Sequence, residues 1–212
     1  QIVCKKVTIA KIKKLKGSKT PFATVTAYDF PSARLVDSQG IPIILVGDSA
    51  AMVVLGHDST IPVTMEEMLM LVGAVSRGSN YALVVADMPF MSYQSSIECA
   101  INSAGRFIKE GAASAVKLEG GEFMYKQIEA IVNIGIPVMG HVGLTPQSVN
   151  QMSGYKIQGK SLQDAEKVYN DALAVEQAGA FSIVLEGVPA ELAQIITEKL
   201  SIPTIGIAAG PH

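Results

Sequence analysis

Three times this chain repeats one junction: "SQGIPIILV" (38–46), "NIGIPVMGH" (133–141) and "KLSIPTIGI" (199–207). Each reads as a helix end, an Ile-Pro step and then an apolar run. Proline has no N–H for a sheet ladder, so it is tolerated where a strand begins. Apolar runs of this kind recur at 22–27, 41–46, 82–86, 114–118, 137–140, 181–185 and 203–207. They are continuous rather than alternating, which calls for cover on both faces and hence a parallel sheet wrapped by helices.

The segments between the runs have helical periodicity and helical punctuation. Thr64 with Glu67, and Ser95 with Glu98, have capping-box spacing at helix starts. Gly40, Gly78, Gly111, Gly135 and Gly179 follow helical stretches, where a left-handed residue ends a helix. No linker or low-complexity stretch divides the chain, so residues 1–212 read as one domain of repeated β-α units. The expected fold is a (βα)8 TIM barrel. Such a barrel needs eight strands and usually about 250 residues, so an eighth βα unit is expected beyond His212. The alternative, an open doubly wound sheet, lacks its Gly-x-Gly-x-x-Gly turn; "TAYDFPSA" (26–33) stands after the first run instead.

At 49% hydrophobic, 212 residues can build a sizeable core. No apolar run reaches the roughly 18 residues of a membrane span, and no signal-peptide pattern opens the chain. Cys4 and Cys99 have neither metal-ligand spacing nor a disulfide framework. A reduced, cytoplasmic protein is expected, with Cys99 in its core. The net charge of -2 is uneven. Lys5, Lys6, Lys11, Lys13, Lys14, Lys16 and Lys19 fall in a segment without acids, leaving 10 basic against 19 acidic residues in the rest. Residues 8–16 read as a short helix with Ile9, Ile12 and Leu15 inward and lysines in water. With no aromatic interleaving and an acidic body, neither nucleic acid nor membrane is an expected partner.

The apolar runs end on chemistry. The first ends at Tyr28–Asp29, the second at Asp48–Ser49 and the third at Asp87; the fourth carries Lys117 and Glu119, the fifth His141 and the sixth Glu186. In a barrel these C-terminal ends converge on one mouth, where active sites lie. Carboxylates gathered there repel one another unless a cation joins them. Asp48, Asp87 and Glu119 offer only hard oxygen, which suits magnesium rather than zinc. Plainer roles stand beside these. An Asp after a strand is often only the N-cap of the next helix, Lys117 can pair with Glu119, His141 can be structural, and Tyr28 can be packing. In the loop 56–60, His57 and Asp58 are ligands, bases, or parts of a loop held by its own side chains. Met65, Met68 and Met70 fit buried and flanking positions of a helix.

Nine collinear stretches resemble the ketopantoate hydroxymethyltransferase family: "TAYD" (26–29), "LVGDS" (45–49), "GHDSTIPVT" (56–64), "ADMPF" (86–90), "VKLEGG" (116–121), "GHVGLTPQ" (140–147), "GYKIQG" (154–159), "DALAVEQAGA" (171–180) and "LEGVP" (185–189). The resemblance implies a barrel of the phosphoenolpyruvate/pyruvate type. It implies transfer of a one-carbon unit from 5,10-methylenetetrahydrofolate to 3-methyl-2-oxobutanoate, through an enolate stabilised by Mg2+. Carried over by position, Asp48, Asp87 and Glu119 are metal residues, and Asp48, Ser49, Asp87 and Lys117 contact the keto acid. Glu186 is the proton acceptor; Tyr28 and His141, at the ends of the first and fifth runs, are candidates for a supporting role. A homo-oligomer, a decamer in the family, is expected as well. One departure is local: the family has Gly-Ile-Gly-Ala-Gly after the seventh strand, and this chain has Gly206-Ile207-Ala208-Ala209-Gly210. The rival readings are a magnesium-dependent keto-acid lyase of the same barrel superfamily and a non-catalytic binding or assembly barrel.

Overall fold

The computed structural model describes residues 5–152, 154 and 156–212. Cys4, and Tyr155 of the "GYKIQG" stretch, lie outside them. Two compact units follow one another along the chain, Gln1–Lys117 and Leu118–His212.

The first unit holds α1 (Ile9–Lys14), β1 (Thr24–Thr26), α2 (Phe30–Ser38), β2 (Ile43–Val46), α3 (Ala50–Val53), α4 (Met65–Gly78), β3 (Leu83–Asp87), α5 (Ile97–Lys109) and most of β4 (Ala115–Glu119). Its strands pair in parallel and in chain order: Thr24 lies opposite Ile43, Ile43 opposite Leu83, and Val85 opposite Ala115. The second unit holds α6 (Tyr125–Asn133), β5 (Val138–Gly143), α7 (Val149–Met152), α8 (Leu162–Gln177), β6 (Ser182–Glu186), α9 (Ala190–Lys199) and β7 (Thr204–Ile207), with 3-10 turns at Glu122–Met124 and Pro146–Ser148. Here β5 pairs with β6, and β6 with β7, again in parallel. Within each unit no strand order reverses, unlike the switch point of a doubly wound sheet. Each expected run forms a strand, and β2, β3 and β4 are buried at every position, which explains apolar runs such as "IILV" and "LVVA" and leaves Asp87, Lys117 and Glu119 as buried charges.

Helix starts follow local chemistry. Thr8, Asp29, Thr64, Ser96 and Ser161 each accept an N–H from the residue three further on. The Thr64–Glu67 capping box forms in both directions, and the Thr64 hydrogen bonds hold the Glu67 carboxyl below its usual range. The expected Ser95–Glu98 box does not form. Ser96 is the cap instead, one residue later, because its hydroxyl reaches the N–H of Cys99 at 3.0 Å. Gly40, Gly135 and Gly179 take positive φ after their helices, whereas Gly78 and Gly111 do not. A Cβ on those two would lie 2.7 Å from the Phe30 carbonyl and 2.8 Å from the Phe107 carbonyl, so they serve close approach.

Cys99 is half-buried rather than in the core. The buried stripe of α5 is Ala100, Ser103, Ala104 and Phe107, and Cys99, one turn before Ser103, stands at its edge. In the basic segment Ile12 is buried, Ile9 and Leu15 are half-buried, and Lys11, Lys13 and Lys14 face water, as expected. Met68 is buried while Met65 and Met70 flank it. No helix among the described residues is long and apolar enough to cross a membrane.

A long-range carboxylate staple of the same design recurs in each unit. Asp37, near the end of α2, accepts the N–H groups of Asn80, Tyr81 and Ala82 at 2.7–3.2 Å, just before β3. Glu176, near the end of α8, accepts those of Ser201 and Ile202 at 2.7 and 3.1 Å, just before β7. A helix thus anchors the backbone that leads into the strand after next along the chain. At the far end of β7, Ala208 has a φ of 48°. An L-residue pays roughly 1–2 kcal/mol in that region, partly offset by the greater freedom of an unfolded glycine. Ala208→Gly should therefore raise the free energy of unfolding in urea by up to about 1 kcal/mol. An unchanged or lower midpoint would show that this backbone conformation carries no strain.

Candidate active site

The question posed by "LVGDS" is why a buried strand ends in a carboxylate and a hydroxyl. In the first unit Asp48, Asp87 and Lys117 are at most 4% exposed. β2 delivers Asp48, β3 delivers Asp87, and the parallel register places Lys117 of β4 directly opposite Asp87. The Asp48 N–H donates to Asp87 Oδ2 at 3.1 Å. Lys117 Nζ lies 2.8 Å from Asp87 Oδ1. That contact is an ion pair without hydrogen-bond alignment, since Oδ1 has no hydrogen-bond partner. Tyr28 and Ser49 join the group through a hydroxyl–hydroxyl hydrogen bond of 2.8 Å. Gly47 leaves the room this needs: a Cβ there would stand 2.8 Å from Ser49 Oγ.

The second unit holds a cluster of its own charged residues. Glu119 and His141 are 4% and 2% exposed. His141 Nε2 lies 3.1 Å from Glu186 Oε2, and its Nδ1 lies 3.6 Å from Glu119 Oε1. The Glu186 side chain stays 20% exposed, so it is the carboxylate of this cluster with an opening to solvent. The other Glu119 oxygen accepts the N–H of Gln147 at 3.1 Å. Lys117 and Glu119 sit two residues apart on β4 and so point to the same side of that strand. Lys117 is paired with Asp87 across the parallel register.

One strand-end residue is a helix cap. Asp29 is exposed and caps α2; the Ser32 hydroxyl and N–H hold its carboxyl below the usual range. His57 and Asp58 are exposed, whereas Thr60 of the same loop is buried. Gln147 is a site neighbour that sequence reasoning missed. It contributes a backbone N–H, which any residue carries, so only the Thr-Pro step before it marked a turn there.

Among the described residues no three His, Cys, Asp or Glu side chains form a ready-made metal cluster. The donors expected for magnesium nonetheless fit it chemically. Asp48, Asp87 and Glu119 are buried hard-oxygen groups, and Asp87 Oδ1 meets positive charge without a hydrogen bond. Magnesium keeps several waters and needs only a few protein carboxylates.

The sequence model of ketopantoate hydroxymethyltransferase matches residues 6–212. The 3-methyl-2-oxobutanoate hydroxymethyltransferase of Dehalococcoides mccartyi is 60% identical over 205 residues, covering 97% of this chain and 74% of that protein. The enzyme of the same name from Carboxydothermus hydrogenoformans is 58% identical, with the same coverage. Among solved structures, 2,3-dimethylmalate lyase, a PEP mutase/isocitrate lyase superfamily member, aligns with a TM-score of 0.68 at 20% identity, covering 96% of this chain and 74% of that one. At that identity the likeness speaks for the fold alone: an α/β barrel of the expected type.

Proposed function

The chain belongs to the ketopantoate hydroxymethyltransferase family and is a hydroxymethyltransferase; from that premise we propose that it transfers a one-carbon unit from 5,10-methylenetetrahydrofolate to 3-methyl-2-oxobutanoate, giving 2-dehydropantoate for pantothenate biosynthesis. The observation that carries this reading is the buried Lys117–Asp87 pair with Asp48 and Ser49 beside it. A buried ammonium and an oriented hydroxyl are suited to the adjacent carboxylate and keto oxygens of a 2-oxo acid.

Lys117 places positive charge where those oxygens become more negative as C3 loses its proton. Asp87 holds the ammonium in place, and Tyr28 holds the Ser49 hydroxyl. Glu186, whose Oε2 lies 3.1 Å from His141 Nε2, would accept the C3 proton. The resulting carbanion attacks the methylene carbon of the folate, and hydrolytic loss of tetrahydrofolate leaves the hydroxymethyl group. Asp48, Asp87 and Glu119 would hold magnesium. When bound, the ion supplies Lewis-acid polarisation of the keto acid's oxygens. A homo-oligomer and a cytoplasmic location belong to the same reading.

The keto-acid lyase reading is less favoured. Such lyases commonly place a reactive cysteine on a loop at a strand end, and Cys99 lies in the first turn of α5. Turnover of 3-methyl-2-oxobutanoate with and without methylenetetrahydrofolate separates the two, because only the transferase consumes the folate. Asp87→Asn should weaken magnesium activation and keto-acid binding together. A variant with the wild-type magnesium dependence would remove Asp87 from the metal.

A further inference from the structure

A buried acid on α8 has no part in the mechanism above. Asp171 is 7% exposed and lies on the packed face of the helix with Val168, Ala172 and Val175. A carboxylate on such a face is costly unless its oxygens are satisfied. Asp171 Oδ2 receives the Lys167 ammonium at 2.9 Å, one helical turn earlier. Oδ1 reaches across to the turn that leaves β4 and accepts the N–H of Glu122 at 2.9 Å.

That turn has no cap of its own. The 3-10 segment Glu122–Met124 begins after Gly121, which has no side chain with which to cap it. Asp171 does the capping from another helix, and Gly121 is shaped to admit it: a Cβ at 121 would fall 2.0 Å from Asp171 Oδ1. One residue earlier, Gly120 has a φ of 124° and donates its N–H to the His141 carbonyl at 3.0 Å. The residue before that is Glu119, whose carboxylate takes the Gln147 N–H. Glu119 therefore leaves β4 into a turn pinned at Gly120 by β5 and at Glu122 by Asp171.

We propose that Asp171 is a positioning residue for the hydroxymethyl transfer: by capping the Gly120–Glu122 turn it sets Glu119 against the His141 end of β5. This rests on the reading of Glu119 and Glu186 as active-site groups. It assigns a role to the "DALAVEQAGA" stretch beyond helix packing. Loss of an outer-shell partner that orients a site carboxylate typically costs about 10- to 100-fold in metal affinity or activity.

The test compares Asp171→Ala with Asp171→Asn in the full chain, with wild-type transfer as the control. Asn keeps an oxygen for the Glu122 N–H; Ala does not. For Asp171→Ala we expect kcat to fall about 10- to 100-fold, with faster hydrogen exchange at the Gly120 and Glu122 amides by NMR. Asp171→Asn should retain most of kcat and the slow amide exchange. If Asp171→Ala does not accumulate in folded form, Asp171→Ser, too short to reach the turn, carries the same expectation. A folded Ala or Ser variant with wild-type kcat would overturn the proposal, even if its melting temperature dropped. So would an Asn variant as impaired as the Ala variant, because acceptance of that N–H is the role assigned. A wild-type chain unable to carry out the transfer would sink the functional reading instead, a result that the amide exchange does not depend on.

Discussion

Glu186→Gln should still bind 3-methyl-2-oxobutanoate yet lose proton exchange at C3 and overall transfer together. Proton removal precedes carbon transfer, so it can be followed without folate as replacement of the C3 hydrogen by deuterium in heavy water. Glutamine keeps the shape of the side chain and removes the basic oxygen. General-base catalysis typically contributes about 10²- to 10⁴-fold, and a loss in that range is expected in both assays. The structure favours Glu186 for this work over Glu119. Its side chain is 20% exposed, against 4% for Glu119, and the Gln147 N–H already occupies one Glu119 oxygen. If the variant exchanges the C3 hydrogen at the wild-type rate, the base lies elsewhere, and His141, 3.1 Å from Glu186, becomes the next candidate.

Lys117→Ala should cost both stability and catalysis. The Lys117 and Asp87 side chains are 4% and 3% exposed and lie 2.8 Å apart. Removing one partner of a buried pair leaves an uncompensated buried charge, at a cost of about 3–5 kcal/mol. Replacing both with uncharged groups is often close to neutral. Urea denaturation should therefore show a large loss for Lys117→Ala and a substantial recovery in Lys117→Met combined with Asp87→Asn. Catalysis should not recover in the double variant, because the positive charge at the keto acid's oxygens is still missing. By analogy with lost oxyanion donors, the fall in kcat is about 10²- to 10³-fold. Folate affinity should be little changed. If calorimetry finds folate binding lost while keto-acid binding is normal, Lys117 belongs to a different subsite. If the double variant is no more stable than the single one, the pair is not what holds this strand end together.

Much of this was legible along the chain, for a reason that differs from feature to feature. The strands were readable because burial on both faces forces unbroken apolar runs, as in "IILV" and "LVVA". The Thr64–Glu67 box was readable because both partners lie within one helical turn. Asp48, Asp87, Lys117 and Glu119 stood out because charge at the end of an apolar run is costly wherever it is buried. The neighbouring serines before α5 show the limit of such reading. Ser95 and Ser96 are chemically alike, and only the backbone path into the helix decides which hydroxyl meets the N–H.

By itself, the sequence determined the parallel α/β class, the order of elements, and a short set of residues whose chemistry had to be explained. Tertiary structure alone decided where each member of that set sits and what it meets. Asp29 and Asp48 both follow a strand, yet Asp29 turns to water and caps α2 while Asp48 is buried beside Asp87. Lys117 meets Asp87, thirty residues away, because parallel register brought the two directly opposite. Asp171 looked like any acid on a helix until α8 packed it against a turn with no cap of its own. Caps and periodicity are local interactions, written in neighbouring residues. Ion pairs and borrowed caps depend on which surfaces meet, and no stretch of chain carries that information alone.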